Sequence, residues 1–117
     1  FAIETGVDAM AISIGNVHLQ TDSQTDLDEE LLARIEAGTE VPLVIHGGTG
    51  VPVAQRAALA RGSAICKYNI GTELRQAFGR DLRRVLAEHP QRFDRIEILS
   101  DLEGRIVSRT RELLRAL

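Results

Sequence analysis

Cysteine occurs only once in the chain, at Cys66, which excludes an intramolecular disulfide framework. Tryptophan is missing, tyrosine occurs once and phenylalanine three times, and 14 basic side chains stand against 17 acidic ones for a net charge of −3. With no basic stripe and few aromatic rings, the composition gives nucleic-acid binding no support. No apolar stretch approaches the roughly 20 residues that cross a bilayer, and no charged start followed by an apolar run marks a secretory leader. Membrane partners are not expected, and the cytoplasm is the expected location. An initial methionine is also missing: Phe1-Ala2-Ile3-Glu4-Thr5-Gly6 reads as the end of a helix leading into a strand, which suggests a piece cut from something longer. What the chain does have is 117 residues, 44% of them apolar and 26% charged, the balance of one soluble globular domain able to bury a core.

Three short apolar runs, near residues 8–14, 42–46 and 64–70, are each followed by a helical pattern, near 27–37, 53–61 and 72–88. This alternation predicts an α/β fold of βα units around a parallel sheet. Leu27, Leu31 and Ile35 recur every four residues, and Leu74, Phe78, Leu82 and Val85 keep the helical period, so each helix can cover one sheet face. Gly38 and Gly62 suit the ends of the first two helices, and His89-Pro90 stops the third. After a loop near 90–98, the segment 100–117 carries Leu102, Ile106, Val107, Leu113 and Leu114, with Ser100 as its N-cap. It reads as a terminal helix packed outside the sheet. The polar stretch 19–26 reads as a loop, at the end of a sheet where loops commonly carry function.

Two histidines, His18 and His46, each directly follow a strand-like run. Taken alone, each is more often a hydrogen-bonded structural residue than a ligand. As a pair at equivalent strand ends they point to a metal, because neutral imidazole is the commonest ligand for zinc and related ions. Two ligands are still too few, since a catalytic zinc usually takes three from the protein. His89, beside a proline at a helix end, reads as a solvated residue. Gly47-Gly48-Thr49-Gly50 lets backbone amides approach an anion closely and leads into a helix N-terminus, with the Thr49 hydroxyl as a further donor. Asn69-Ile70-Gly71-Thr72 repeats this arrangement before the next helix, where Thr72 is either an anion donor or merely an N-cap. Loops after the last strands of (βα)8 barrels often bind phosphate in this way.

Alternation along the third strand sets Ile65, Lys67 and Asn69 on one face, shared with Val44 and His46, and Cys66 and Tyr68 on the other. On that reading Cys66 is an inert thiol beneath the helices. Lys67 is the chain's only lysine. It is either a Schiff-base nucleophile, which needs a desolvated amine, or a positive charge near the phosphate or paired with a buried carboxylate; the histidine pair favours the second reading.

These segments resemble one family. Glu4 to Ala11 running to Gly15-Asn16-Val17-His18, then Pro42 to Pro52 around His46-Gly47-Gly48-Thr49-Gly50, then Lys67-Tyr68-Asn69-Ile70-Gly71-Thr72-Glu73-Leu74-Arg75, are similar to the class II metal-dependent ketose-bisphosphate aldolases, the fructose- and tagatose-bisphosphate enzymes. The resemblance implies the last three βα units of a (βα)8 TIM barrel plus C-terminal helices. It implies that His18 and His46 ligate Zn2+ or another divalent metal. It further implies that Gly47, Gly48 and Thr49, with Asn69, Ile70, Gly71 and Thr72, bind the phosphorylated ketose or dihydroxyacetone phosphate. The implied activity is a lyase reaction of carbohydrate metabolism that reversibly cleaves a ketose 1,6-bisphosphate, in a protein that forms homodimers or homotetramers.

Two departures stand out. Leu19 occupies the place where the family usually has a glycine whose amide helps bind phosphate and a monovalent cation. The family's third zinc histidine and its catalytic aspartate lie on earlier strands, so no catalytic base is assigned within these residues. The segment alone is therefore expected to be inactive. The competing expectations are a non-catalytic phosphate-binding or assembly module and a metal-independent lyase or isomerase using Lys67.

Overall fold

A computed structural model of the chain describes residues 1–16 and 25–117. The expectations placed on His18 and Leu19, and on most of the loop 19–26, lie outside the described residues. Two compact units are present, Phe1–Gly71 and Thr72–Ala116.

The first unit holds a parallel sheet in the order β1-β2-β3, formed by β1 (Met10–Ile12), β2 (Leu43–Ile45) and β3 (Ile65–Tyr68). A single helical turn, α1 (Ala2–Thr5), precedes β1 and ends at Gly6 in the left-handed conformation. Strand β1 stops earlier than the apolar run 8–14 predicts. The Ile14 N–H leaves the ladder to donate to Asn16 Oδ1 at 2.8 Å, and Gly15 turns the chain at φ 97°. Helix α2 (Glu29–Glu36) starts at Asp28, whose carboxylate accepts from the Leu31 N–H at 2.9 Å; Glu29 and Glu30 in its first turn complement the helix dipole. Helix α3 (Val53–Gly62) starts after Pro52, where proline's fixed φ suits a helix entrance. The Gln55 side chain joins α3 to the chain entering α2: it accepts from the Leu27 N–H at 2.8 Å and donates to the Leu27 carbonyl at 3.1 Å.

One sheet face carries the core. Leu43, Ile45 and Ile65 are buried with Ile14, Leu27, Leu32, Val51 and Leu59, and Met10, Ile12 and Tyr68 pack against this cluster. Burying such side chains contributes roughly 1.5–3 kcal/mol each, which makes this face the main source of the unit's stability.

The register of β3 differs from simple alternation. Leu43 pairs with Ile65 but Val44 pairs with Lys67, so Cys66 is an extra residue with no partner opposite it, a bulge. Register partners lie side by side on the same face. Ile65 therefore joins Leu43 in the core, not the face of Lys67 as alternation predicts, and Cys66 is exposed instead of sheltered under the helices. Beyond the bulge, Tyr68 falls beside Ile45, while Lys67 and Asn69 keep the face of Val44 and His46.

The second unit contains α4 (Thr72–Glu88) and α5 (Arg95–Arg115), which pack on each other with Ala77, Val85, Leu102 and Leu113 buried. Helix α5 is capped six residues before the expected Ser100 cap. Asp94 is its N-cap and accepts from the Ile96 N–H at 2.8 Å, so the expected loop 90–98 is half helix. Arg109 pairs with Glu73 of α4 and with Glu112 on its own helix. Among the described residues no helix is long and apolar enough to cross a membrane.

Candidate active site at the strand ends

The parallel ladder delivers two polar residues to neighbouring strand ends. His46 directly follows β2 and is half-buried, and Asn69 directly follows β3. Asn69 meets the end of β2 in three ways. Its N–H donates to the Ile45 carbonyl at 2.8 Å, its carbonyl accepts from the Gly48 N–H at 3.1 Å, and its Nδ2 lies 3.2 Å from His46 Nε2. A primary amide can present a donor or an acceptor to an imidazole, so Asn69 helps select which ring nitrogen carries the proton.

Between these two residues the chain makes a tight turn. Gly47 is left-handed at φ 65°, and Gly48–Gly50 form a 3-10 turn. Gly48 is buried with little room for a side chain: a Cβ there would lie 3.3 Å from both Ile70 Cγ1 and Tyr68 Cδ1, which would have to give by a few tenths of an ångström. The Gly48 N–H is engaged by Asn69, so this glycine closes the turn onto β3 and is not an outward-facing donor. The expected phosphate-binding residues Gly47, Gly48 and Thr49 and Asn69, Ile70 and Gly71 thus lie in two segments of the first unit that meet where Gly48 packs on Asn69 and Ile70. Thr72 is the first residue of α4, in the second unit.

Two residues that the sequence reading passed over support this end of the sheet. The Asn16 Nδ2 donates to the His46 carbonyl at 2.9 Å. Arg56 on α3 is only 3% exposed, and its position one helical turn before the inward-facing Leu59 was the signal that it faces inward. Tyr68 packs against the Gly48 turn with its hydroxyl buried and without a hydrogen-bond partner among the described residues. Burial pushes the Tyr68 phenol above its ordinary pKa of 10.0, and the Arg56 charge opposes this in part. The segment after residue 24 returns to the same place, where the Thr25 N–H donates to the Gly50 carbonyl at 3.0 Å.

Among the described residues no group of three or more His, Cys, Asp or Glu side chains converges on a point that could hold a metal. Among the described residues, His46 offers a half-buried imidazole at a strand end, met at one nitrogen by a side-chain amide; ligating histidines are commonly oriented by such a partner. Lys67 is exposed, without the desolvation a Schiff-base amine requires. His89 is exposed beyond the end of α4, as expected of a solvated residue.

Residues 1–117 match the family model described as fructose-bisphosphate aldolase class-II. Among solved structures, the chain is similar to the YdjI aldolase from Escherichia coli K12, with 26% identity and a TM-score of 0.73 over 98% of this chain and 40% of that one. The chain therefore spans about two fifths of the length of the solved structure it matches.

Proposed function

The chain belongs to the class II fructose-bisphosphate aldolase family, and from that premise we propose that the full-length protein reversibly cleaves a ketose 1,6-bisphosphate to dihydroxyacetone phosphate and an aldehyde. One observation carries this reading: the His46 ring and the Asn69 amide meet at 3.2 Å on adjacent parallel strand ends, with the Gly47-Gly48-Thr49 turn between them in sequence and packed against β3. These are the groups that a phosphorylated ketone needs at one end of a sheet.

In this proposal His46 and, by family resemblance, His18 hold a divalent metal, zinc or a close relative. Bound there, it supplies a Lewis acid for the negative charge that builds on the ketone oxygen as the C–C bond breaks. Asn69 orients the His46 ring and donates to the substrate's hydroxyl and carbonyl oxygens. The Gly47 and Thr49 amides and the Thr49 hydroxyl hold the phosphate, while Gly48 keeps the turn closed. Ile70, Gly71 and Thr72 are assigned to a second phosphate-binding stretch by resemblance alone. A third histidine and the aspartate that moves the hydroxyl proton are assigned to the rest of the full-length protein. So are the remaining strands of a (βα)8 barrel, of which these residues form the last three units. Leu19, in place of the family glycine, implies altered phosphate affinity or monovalent-cation dependence. A homodimer or homotetramer in the cytoplasm accords with this reading.

The test is cleavage of fructose and tagatose 1,6-bisphosphates by the full-length protein. Activity lost with EDTA and restored by zinc supports the proposal. Phosphate binding without turnover overturns it in favour of a binding module. Chelator-resistant turnover with borohydride trapping at Lys67 overturns it in favour of an imine mechanism.

A further inference from the structure

We infer that Asn16 is a positioning residue for the metal site, an amide brace that sets how the end of β1 meets the backbone of His46. The inference rests on the functional reading above, which makes residues 18 and 46 a ligand pair.

Ile12 with Ile45 is the last register pair between β1 and β2. One residue further along β2, the ladder's place is taken by a side chain. The Ile14 N–H donates to Asn16 Oδ1 at 2.8 Å, and Asn16 Nδ2 donates to the His46 carbonyl at 2.9 Å while approaching the Ile12 carbonyl at 3.4 Å. Asparagine suits this position because one planar amide carries both an acceptor and two donors. His46 is consequently held from both neighbouring strands. Its carbonyl is fixed from the β1 side by Asn16, and its ring is met from the β3 side by Asn69 at 3.2 Å.

Asn16 also stands two residues before His18 in the sequence. A brace here therefore acts on the main chain of one proposed ligand, His46. Metal sites tolerate ligand distances within only about 0.2 Å, so slack at the His46 backbone would appear first as weaker metal binding. Asn16 need not touch metal or substrate for this.

Two variants of the full-length protein separate this role from simple folding. Asn16→Asp keeps the acceptor for the Ile14 N–H but removes the donor to the His46 carbonyl; Asn16→Ala removes both. The readouts are titration with Zn2+ alone and the melting temperature of the metal-free protein. Zn2+ affinity falling by about 10- to 100-fold in both variants, with the metal-free melting temperature of Asn16→Asp close to that of the unaltered protein, supports the brace. Asn16→Asp binding Zn2+ as tightly as the unaltered protein overturns it. So does a loss of melting temperature with unchanged Zn2+ affinity in the folded fraction. Failure of the unaltered protein to bind Zn2+ overturns instead the functional reading on which the brace rests.

Discussion

Asn69 Nδ2 lies 3.2 Å from His46 Nε2, joining the ends of two parallel strands through side chains just past the last ladder pair. A contact of this kind fixes both the rotation of the imidazole and the location of its proton. In the full-length protein His46→Ala is expected to abolish metal-dependent cleavage. Asn69→Ala is expected to lower kcat/KM by about 100-fold, the usual cost of losing a preorganised donor. Steady-state kinetics with zinc in excess measure both, and an Asn69→Ala enzyme of full activity would reject the assignment.

The turn after His46 makes a graded prediction about glycine. Gly48→Ala forces a methyl to within 3.3 Å of Tyr68 and Ile70 and is expected to destabilise by about 1–3 kcal/mol. Gly47→Ala must hold a left-handed backbone at φ 65°, which costs roughly 1–2 kcal/mol. Gly62→Ala, with open space around it in α3, is expected to stabilise by about 0.5–1 kcal/mol. Urea denaturation of the three variants gives the order directly.

Thr49→Ala is expected to weaken binding of phosphorylated ligands by about 1–3 kcal/mol, for loss of a charge-assisted hydrogen bond. Unphosphorylated ketoses should be little affected. Equal damage to both classes of ketose would remove Thr49 from the phosphate site.

Tyr68 links stability to alkaline pH. Its folded pKa is raised above the ordinary 10.0, mainly by burial. Keeping the phenol protonated therefore contributes stability that is complete below pH 10 and is lost as pH rises through the folded value. Tyr68→Phe should abolish this alkaline loss and leave stability at neutral pH unchanged or raised by about 1 kcal/mol, since the buried hydroxyl has no hydrogen-bond partner among the described residues. Melting curves between pH 8 and about pH 11.5 decide it, and parallel declines in the two proteins would contradict it.

Asp94→Ala should cost about 1 kcal/mol through loss of the α5 cap, whereas Ser100→Ala, inside the helix, should be near neutral. The reverse order would restore the boundary expected from sequence.

Much of the architecture was legible because it depends on period and punctuation. Apolar runs ending at His46 and Asn69, with helices following, lead directly to a parallel sheet and to the strand end where those two side chains meet. Proline and glycine marked helix limits well. What was illegible depends on pairing between distant residues. No local pattern discloses that Leu43 skips a residue between Ile65 and Lys67, and so alternation put Ile65 and Cys66 on the wrong faces. The Asp94 cap was hidden by the neighbouring Pro90 and by Phe93, which reads as a loop residue and is 94% exposed. Arg56 was obscured because a charge at an inward helical position runs against the usual pattern.

The extra residue in β3 decides the compartment of a charge. Were the ladder uninterrupted, Lys67 would stand beside Ile45 and thrust an ammonium group among the aliphatic side chains under α2 and α3, at a solvation cost of several kcal/mol. Removing Cys66 altogether would straighten the strand and leave Lys67, Tyr68 and Asn69 opposite their present neighbours. The phase of a single short strand, not the identity of its side chains, sets which of them can reach a ligand.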